Sequence, residues 1–205
     1  MEGRQRRGTV IPRHIQITIA LLLVAVFTSG IYILRLHRGT QESLRRAADA
    51  RPVDAPIAGR SQNITLAIAY DEDGVFRDKT VAAVLPDESS ARAREILQTL
   101  IAQYVSKPSP HPLGEGSAVN SVFLVNGKLA VVDLNQALVD EHPSGIMVED
   151  FTLLSLIETL SQNMPQLEQV KILIDGKERE TLAGHADLRS AYSTSVVHQM
   201  VERLQ

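Results

Sequence analysis

Twenty consecutive residues without a charge, from Ile15 to Leu34 (IQITIALLLVAVFTSGIYIL), restrict this chain more than any other feature. As an α-helix they would extend roughly 30 Å, which matches the hydrocarbon core of a bilayer. A buried helix of a soluble domain is seldom apolar on every side over such a length. A cleaved signal peptide usually has an apolar stretch of only about 7–15 residues. The sequence therefore predicts an uncleaved transmembrane helix at residues 15–34.

Charge does not fix the orientation of this helix. Four arginines precede it (4, 6, 7 and 13) and four follow it (35, 38, 45 and 46), so the positive-inside rule gives no preference. A short head followed by a large C-terminal part is most simply inserted as a signal anchor. We therefore expect a single-pass protein of the cytoplasmic (inner) membrane whose C-terminal domain lies on the extracytoplasmic side.

The charge of the chain is divided unevenly between its two parts. Residues 1–60 carry 10 Arg and 4 acidic residues, a balance of +6, and residues 61–205 carry a balance of −9. An acidic domain without tryptophan argues against a nucleic-acid partner, because phosphate binding needs clustered cations. The absence of cysteine excludes disulfides, thiolate zinc sites, cysteine nucleophiles and a lipid-modified cysteine.

Composition divides the chain into five segments. Residues 1–14 form a short basic head, 15–34 the transmembrane helix, 35–60 a flexible linker, 61–190 a compact domain, and 191–205 a C-terminal helix. The linker contains six Arg and two Pro and has little to bury. It is predicted to be a solvated tether, with contact to anionic lipid head groups as the alternative.

The compact domain alternates strand and helix patterns. Its predicted strands are 63–70, 80–85, 121–125, 129–134 and 170–174, and its predicted helices are 89–106 and 147–163. Asn126-Gly127 predicts a type I′ hairpin turn, because both positions need positive φ. Ser89 or Ser90 is expected to cap the first helix and Ser144 the second. Glu149 and Asp150 suggest that the start of the second helix faces solvent.

The resulting order, ββαββαβ, predicts an α+β fold. Without one of the first two strands it is the split-βαβ order βαββαβ. We expect a mostly antiparallel sheet of about five strands with two helices on one face.

Several segments resemble the GerMN domain family, the extracytoplasmic module of spore-germination and sporulation proteins. The specific part is C-terminal: Ser144-Gly145 before a helix with Glu149 and Thr159-Leu160, then VKILIDG at 170–176, TLAGH at 181–185, and Asp187-Leu188. Upstream, 129–133 (LAVVD) is similar to a family strand, 66–85 to its opening hairpin, and 97–105 to its first helix. The resemblance covers about residues 62–190.

The resemblance implies a ring-building-motif-like module that acts by protein–protein contact at membranes without known catalysis. Its implied partners are a second copy of the chain, an envelope protein, or both. This chain departs from the family pattern because it has one module instead of a tandem pair and an apolar helix instead of a lipid anchor.

No residue is assigned as catalytic, cofactor-binding or metal-binding. His185 and Asp187 could meet as a general-base pair on one strand face, but no activated nucleophile accompanies them. The six histidines (14, 37, 111, 142, 185 and 198) are scattered without a His-Glu-x-x-His motif. The segment 71–74 (DEDG) lacks the later ligands of a calcium loop and predicts a turn.

The function predicted from sequence is a membrane-anchored interaction module that is not an enzyme and takes no small-molecule substrate. Two alternatives stay open: binding of cell-wall glycan, and an envelope hydrolase that uses His185 and Asp187. An open sheet edge or an uncovered sheet face is the expected contact surface. Strands 66–70 and 170–174 are the candidates for that edge.

Overall fold

A computed structural model describes residues 59–205 of the chain. The transmembrane helix predicted at 15–34 and nearly all of the predicted linker lie outside the described residues. None of the helices between residues 59 and 205 has the length and hydropathy needed to cross a membrane.

The described part opens with a long antiparallel hairpin, made of β1 (Gly59–Tyr70) and β2 (Val75–Pro86). The strands pair without a break from Gly59 opposite Pro86 to the turn. The turn closes on Gly74, whose φ of 68° favours glycine. Both strands were predicted, but each is four to six residues longer than its apolar alternation indicated, because the added residues are mostly exposed and polar and carry no such pattern.

Helix α1 (Ser89–Val105) follows the hairpin and buries an apolar face along its length. Its cap is Glu88, whose carboxylate accepts hydrogen bonds from the backbone N–H groups of Ser90 (2.8 Å) and Ala91 (2.5 Å). The prediction of a serine cap is therefore wrong by one or two positions. An ionised side chain at the helix N-terminus also complements the helix dipole.

A second sheet has four strands in the order β3 (Val119–Val125), β4 (Leu129–Leu134), β5 (Gln169–Ile174) and β6 (Tyr192–Ser193). The β3–β4 turn has φ values of 51° at Asn126 and 68° at Gly127, as the sequence predicted. Strands β4 and β5 are parallel, and the other two pairs are antiparallel.

The prediction of one mostly antiparallel sheet is wrong, although the α+β class and the order of the predicted elements are confirmed. A helical connection between β4 and β5 returns the chain to the same end of the sheet, so these strands run parallel. It contains the short helix α2 (Gln136–Asp140), which was not predicted, and α3 (Ile146–Asn163). The last helix is α4 (Thr194–Glu202).

The two main helices do not share one face of the hairpin. Lys79 of β2 reaches Gln103 of α1 (2.8 Å), and its neighbour Asp78 accepts from Gln162 of α3 (3.1 Å). Adjacent strand residues point to opposite faces, so the hairpin is held between α1 and α3. Aromatic packing of Phe76 against Phe151, with ring centroids 4.9 Å apart, joins the hairpin to α3.

Candidate functional site

Helix α3 carries a line of buried polar side chains that bind several other segments of the domain. Sequence analysis interpreted this helix as a broad apolar face, which it also has. Its residues Glu149, Thr152, Ser155, Glu158 and Thr159 are nevertheless at most 1% exposed. A buried polar group needs a hydrogen-bond partner, so the contacts of these five show what the helix holds in place.

The Glu149 carboxylate lies inside the loop that joins β5 to β6. It accepts hydrogen bonds from the backbone N–H groups of Ala183 (2.9 Å), His185 (2.8 Å) and Ala186 (3.0 Å), and from Nδ1 of His185 (2.8 Å). Burial alone would raise the pKa of Glu149, but these four donors lower it to about 2. The expectation that Glu149 faces solvent is wrong.

The structure separates His185 from Asp187 as a catalytic pair. His185 binds Glu149, whereas Asp187 accepts from the backbone and the guanidinium of Arg189, at 2.9 Å each. These contacts with Arg189 lower the pKa of Asp187. Asp187 therefore closes a local turn.

A chain of hydrogen bonds with the order of a hydrolase triad connects α3 to the loop 107–116. Nδ1 of His111 is 2.6 Å from Oδ1 of Asp71, and its Nε2 is 2.7 Å from Oγ1 of Thr152. The same hydroxyl contacts Nε2 of His142 at 2.7 Å, and burial lowers the pKa of His142. Thr152 is 1% exposed and its hydroxyl is fully engaged, so no substrate carbonyl can reach it in this structure. This series of hydrogen bonds fastens the loop 107–116 to α3.

Polar side chains also cover the outer edge of β1. Asn163 accepts from the N–H of Thr65 (3.0 Å) and donates to its carbonyl (2.7 Å), and Thr159 accepts from the N–H of Ala67 (3.0 Å). The Tyr104 hydroxyl accepts from the next outward N–H, that of Ala69 (2.9 Å). Burial raises the pKa of this hydroxyl to about 12. These side chains replace a neighbouring strand, so β1 is not an open edge.

Glu158 connects α3 to the C-terminal helix. Its fully buried carboxylate accepts from Nδ1 of His198 on α4 (2.8 Å) and from Gln162 (3.1 Å). This hydrogen bond raises the pKa of His198. A shallow pocket of about 260 Å³ lies beside this pair.

The acidic turn 71–74 does not form a cation site in this structure. Asp71 binds His111, and Asp73 forms an ion pair with Arg77 at 2.8 Å. A surface pocket of about 580 Å³ opens between this turn and the prolines of 108–112. Across residues 59–205, no three His, Asp or Glu side chains are grouped so that they could hold a metal ion.

The outer face of the four-stranded sheet exposes apolar side chains. Phe123 is 60% and Val125 45% exposed, and they pair across the hairpin with the half-buried Val131 and Leu129. We call these four residues the outer sheet patch. The alternate residues of both strands face the core, so the patch lies on the side away from it.

The two strands suggested by the sequence are covered wholly or in part. Strand β5, which contains 170–174, pairs with β4 along its length but with β6 only at Gln169 and Val170, and β1, which contains 66–70, is covered by α1 and α3. The open edges of the described part belong to β2, to the end strands of the second sheet and to the stretch of β5 that extends past β6. The first residues of β3 are covered by α1, because Gln98 accepts from Val119 N–H and Arg94 donates to its carbonyl.

Sequence reasoning missed the buried acids of α3 because carboxylates at helical spacing usually mark a solvated face. The signal that could have identified Glu149 is its combination with the 181–188 block, where small residues and glycine allow a loop to close around a carboxylate. His198, which binds Glu158, and His111, which binds Thr152, lie 40 and 41 residues away and leave no local trace.

Known proteins and protein-family models share this architecture. The family model Germane, described as sporulation and spore germination, matches residues 68–180. The tandem GerMN domains of the sporulation protein GerM from Bacillus subtilis match with 19% identity and a TM-score of 0.50, over 65% of this chain and 46% of that one. This chain thus spans about half of the tandem structure.

Two further structures match with lower scores. The first GerMN domain of the same Bacillus subtilis protein gives 17% identity and a TM-score of 0.44, over 63% of this chain and 94% of that one. A Clostridium perfringens protein gives 17% identity and a TM-score of 0.42, over 67% of this chain and 89% of that one. The comparison with curated proteins gave no significant match.

Proposed function

Because the chain belongs to the Germane family of sporulation and spore-germination domains, we propose that it is a membrane-anchored interaction module of the bacterial cell envelope. In this proposal residues 15–34 span the cytoplasmic membrane and residues 35–58 form a tether. The domain lies on the extracytoplasmic side and binds a second copy of itself or an envelope protein. It performs no catalysis and takes no small-molecule substrate.

The outer sheet patch is the observation that carries this proposal. A phenylalanine and a valine that are about half exposed, next to two partly buried apolar residues, form a continuous apolar surface on a flat sheet. Continuous apolar surfaces of this kind mark contact sites on soluble domains, whereas scattered exposed apolar residues do not. The aromatic ring at the centre is the type of side chain that dominates binding energy at protein interfaces.

The rigidity of the domain supports the same role. The buried polar residues of α3 bind the hairpin, the loop 107–116, the β5–β6 loop and α4 to one helix. Side chains that are positioned in advance lose little conformational entropy when a partner binds. A scaffold module needs such a fixed surface, whereas an enzyme would need at least one of these polar groups to be accessible.

A substitution in the patch tests the proposal. Phe123→Ser removes the ring from an exposed site, and Ile146→Ser removes a 67% exposed apolar side chain elsewhere as a matched control. Both variants of the full-length chain are crosslinked in the native membrane. We expect a discrete crosslinked species for wild type and Ile146→Ser and its loss in Phe123→Ser. An identical set of crosslinked species in all three would refute the patch as a contact surface.

The topology has its own test. Protease added to intact spheroplasts should digest the domain and leave a membrane-protected fragment. A domain that resists digestion until the cells are lysed would place it in the cytoplasm and contradict the proposal. A pelleting assay with purified cell wall tests the glycan alternative, which sedimentation of the domain without any crosslinked protein would favour.

A further inference from the structure

Strand β2 leaves its outer edge open over most of its length. In an antiparallel pair, residues opposite each other both point their N–H and C=O groups either inward or outward. The backbone N–H groups of Thr65 and Ala67 point away from β2, toward α3. The backbone groups of their partners on β2, Thr80 and Asp78, therefore point away from β1. By the same alternation Ala82 and Val84 point outward.

Within residues 59–205 this edge is covered only at its two ends. The N–H of Phe76 donates to the carbonyl of Leu204 (2.8 Å), and the Pro86 carbonyl accepts from Arg92 (3.2 Å). Between these positions no described group bonds to the outward backbone of β2. The same hairpin is therefore sealed on its β1 side by α1 and α3 and open on its β2 side.

The open segment lacks the devices that normally prevent strands from pairing. Edge strands are usually protected by charges, prolines, bulges or short length. Residues 80–85 (TVAAVL) contain no charge and no proline, and the register of β2 with β1 is unbroken. Val84 is 47% exposed. The cation that precedes this segment, Lys79, is engaged with Gln103.

We infer that the β2 edge pairs with the β2 edge of a second copy of this chain, in an antiparallel arrangement with Ala82 on the twofold axis. In this register Thr80 lies opposite Val84 of the other copy, and about six main-chain hydrogen bonds form because each outward residue pair exchanges two. Two hairpins then make one four-stranded sheet. The inference rests on the proposed function and names its self-contact.

The sequence favours this occupant because the segment is complementary to itself. Alanine side chains meet at the axis without steric conflict, and the β-branched Thr80 and Val84 form cross-strand pairs. No charge lies opposite a charge in this register. A register centred on Asp78 would instead place two carboxylates opposite each other, which is destabilising.

A single cysteine tests both the contact and its register, since the natural chain has none. Ala82→Cys in the full-length chain, oxidised in native membranes, should give a disulfide-linked dimer, because opposite residues have Cα atoms about 5.5 Å apart, within disulfide reach. Thr80→Cys and Val84→Cys are matched controls. Each of these cysteines would lie roughly 13 Å along the strand from the same cysteine in the second copy, so neither variant should form the disulfide-linked dimer.

Two results would overturn the inference. If Ala82→Cys gives no dimer, the edges do not pair in this register. If all three variants give equal dimer, the crosslinks come from random collision. If Ala82→Cys gives no dimer while Phe123 is still required for a crosslinked envelope species, strand pairing fails and the proposed function stands.

Proline provides an independent test. The N–H of Ala82 points away from β1, so Ala82→Pro removes no hydrogen bond of the hairpin but blocks the open edge. In the detergent-solubilised full-length chain, the mass measured by sedimentation should be that of a dimer for wild type and that of a monomer for Ala82→Pro. The circular dichroism spectrum and the thermal midpoint should be unchanged. Ala82→Ser should stay dimeric. A folded Ala82→Pro protein that remains dimeric would contradict the inference.

Discussion

Replacing Glu149 by glutamine should remove the single strongest polar contact inside the domain. The carboxylate receives four hydrogen bonds from residues 183–186, three of them from backbone N–H groups. Glutamine is nearly isosteric but has one oxygen and one NH₂ group. Its NH₂ group would face N–H donors that it cannot accept from, so at least one buried donor would lose its partner.

The pKa of Glu149 sets the size of the effect. This pKa falls from its ordinary value of 4.5 to about 2 in the folded domain, because donors from the β5–β6 loop outweigh the effect of burial. A difference of about 2.5 units corresponds to about 3 kcal/mol of stability. Because the folded-state pKa is depressed, this contribution is fully present above pH 4.5 and is lost as the pH falls toward 2. At pH 3 about three fifths of it is gone.

Urea unfolding of a fragment that begins at Pro56 measures this directly, since every core residue of the described part lies between Ile64 and Val201. At pH 7 Glu149→Gln should lower the free energy of unfolding by about 3 kcal/mol, and at pH 3 the gap to wild type should be about two fifths of its value at pH 7. Glu115→Gln, at a side chain that is 81% exposed, should change it by less than about 0.5 kcal/mol. A gap that stays constant between the two pH values would refute the assignment of the stabilisation to the ionised carboxylate.

Three further predictions concern the other contacts of α3. Thr152→Val should cost about 1–3 kcal/mol in urea unfolding, because two buried imidazoles lose their shared hydroxyl; an unchanged midpoint would contradict this. NMR titration should give His198 a pKa above 6.5 that falls in Glu158→Gln, so the contribution of this pair to stability is present below pH 6.5 and is lost as the pH rises through the folded-state pKa. Asn163→Ala should speed hydrogen exchange at the Thr65 amide, because that N–H loses its acceptor; equal exchange rates would show that the edge of β1 is protected in another way.

Local patterns in the sequence were enough to predict the elements but not their assembly. Alternation located β1, β4 and β5, and Asn126-Gly127 predicted its turn, since these signals lie within a few residues. The five-residue helix α2 has too few turns to show a period. The division into two sheets depends on α3 and α1 covering the edge of β1, through contacts that span 35–98 residues.

The residues that organise the site follow the same distinction. His185 stood out in sequence, but its partner is Glu149, 36 residues earlier, and not Asp187 two residues later. A carboxylate in the first turn of a helix usually faces solvent, where the helix dipole favours it. Here the loop that follows β5 brings its own backbone donors to the same carboxylate, a contact between distant segments that no pattern within the helix predicts.

The most direct test of the central claim places a photoreactive amino acid at position 123 of the full-length chain in its native membrane. Mass spectrometry then identifies what is covalently captured after illumination. We expect one recurring partner, either a second copy of the chain or an envelope protein, and no capture from position 115, which is even more exposed. A chain that remains monomeric, or that captures the same mixture from both positions, would contradict an interaction module that works through the outer sheet patch.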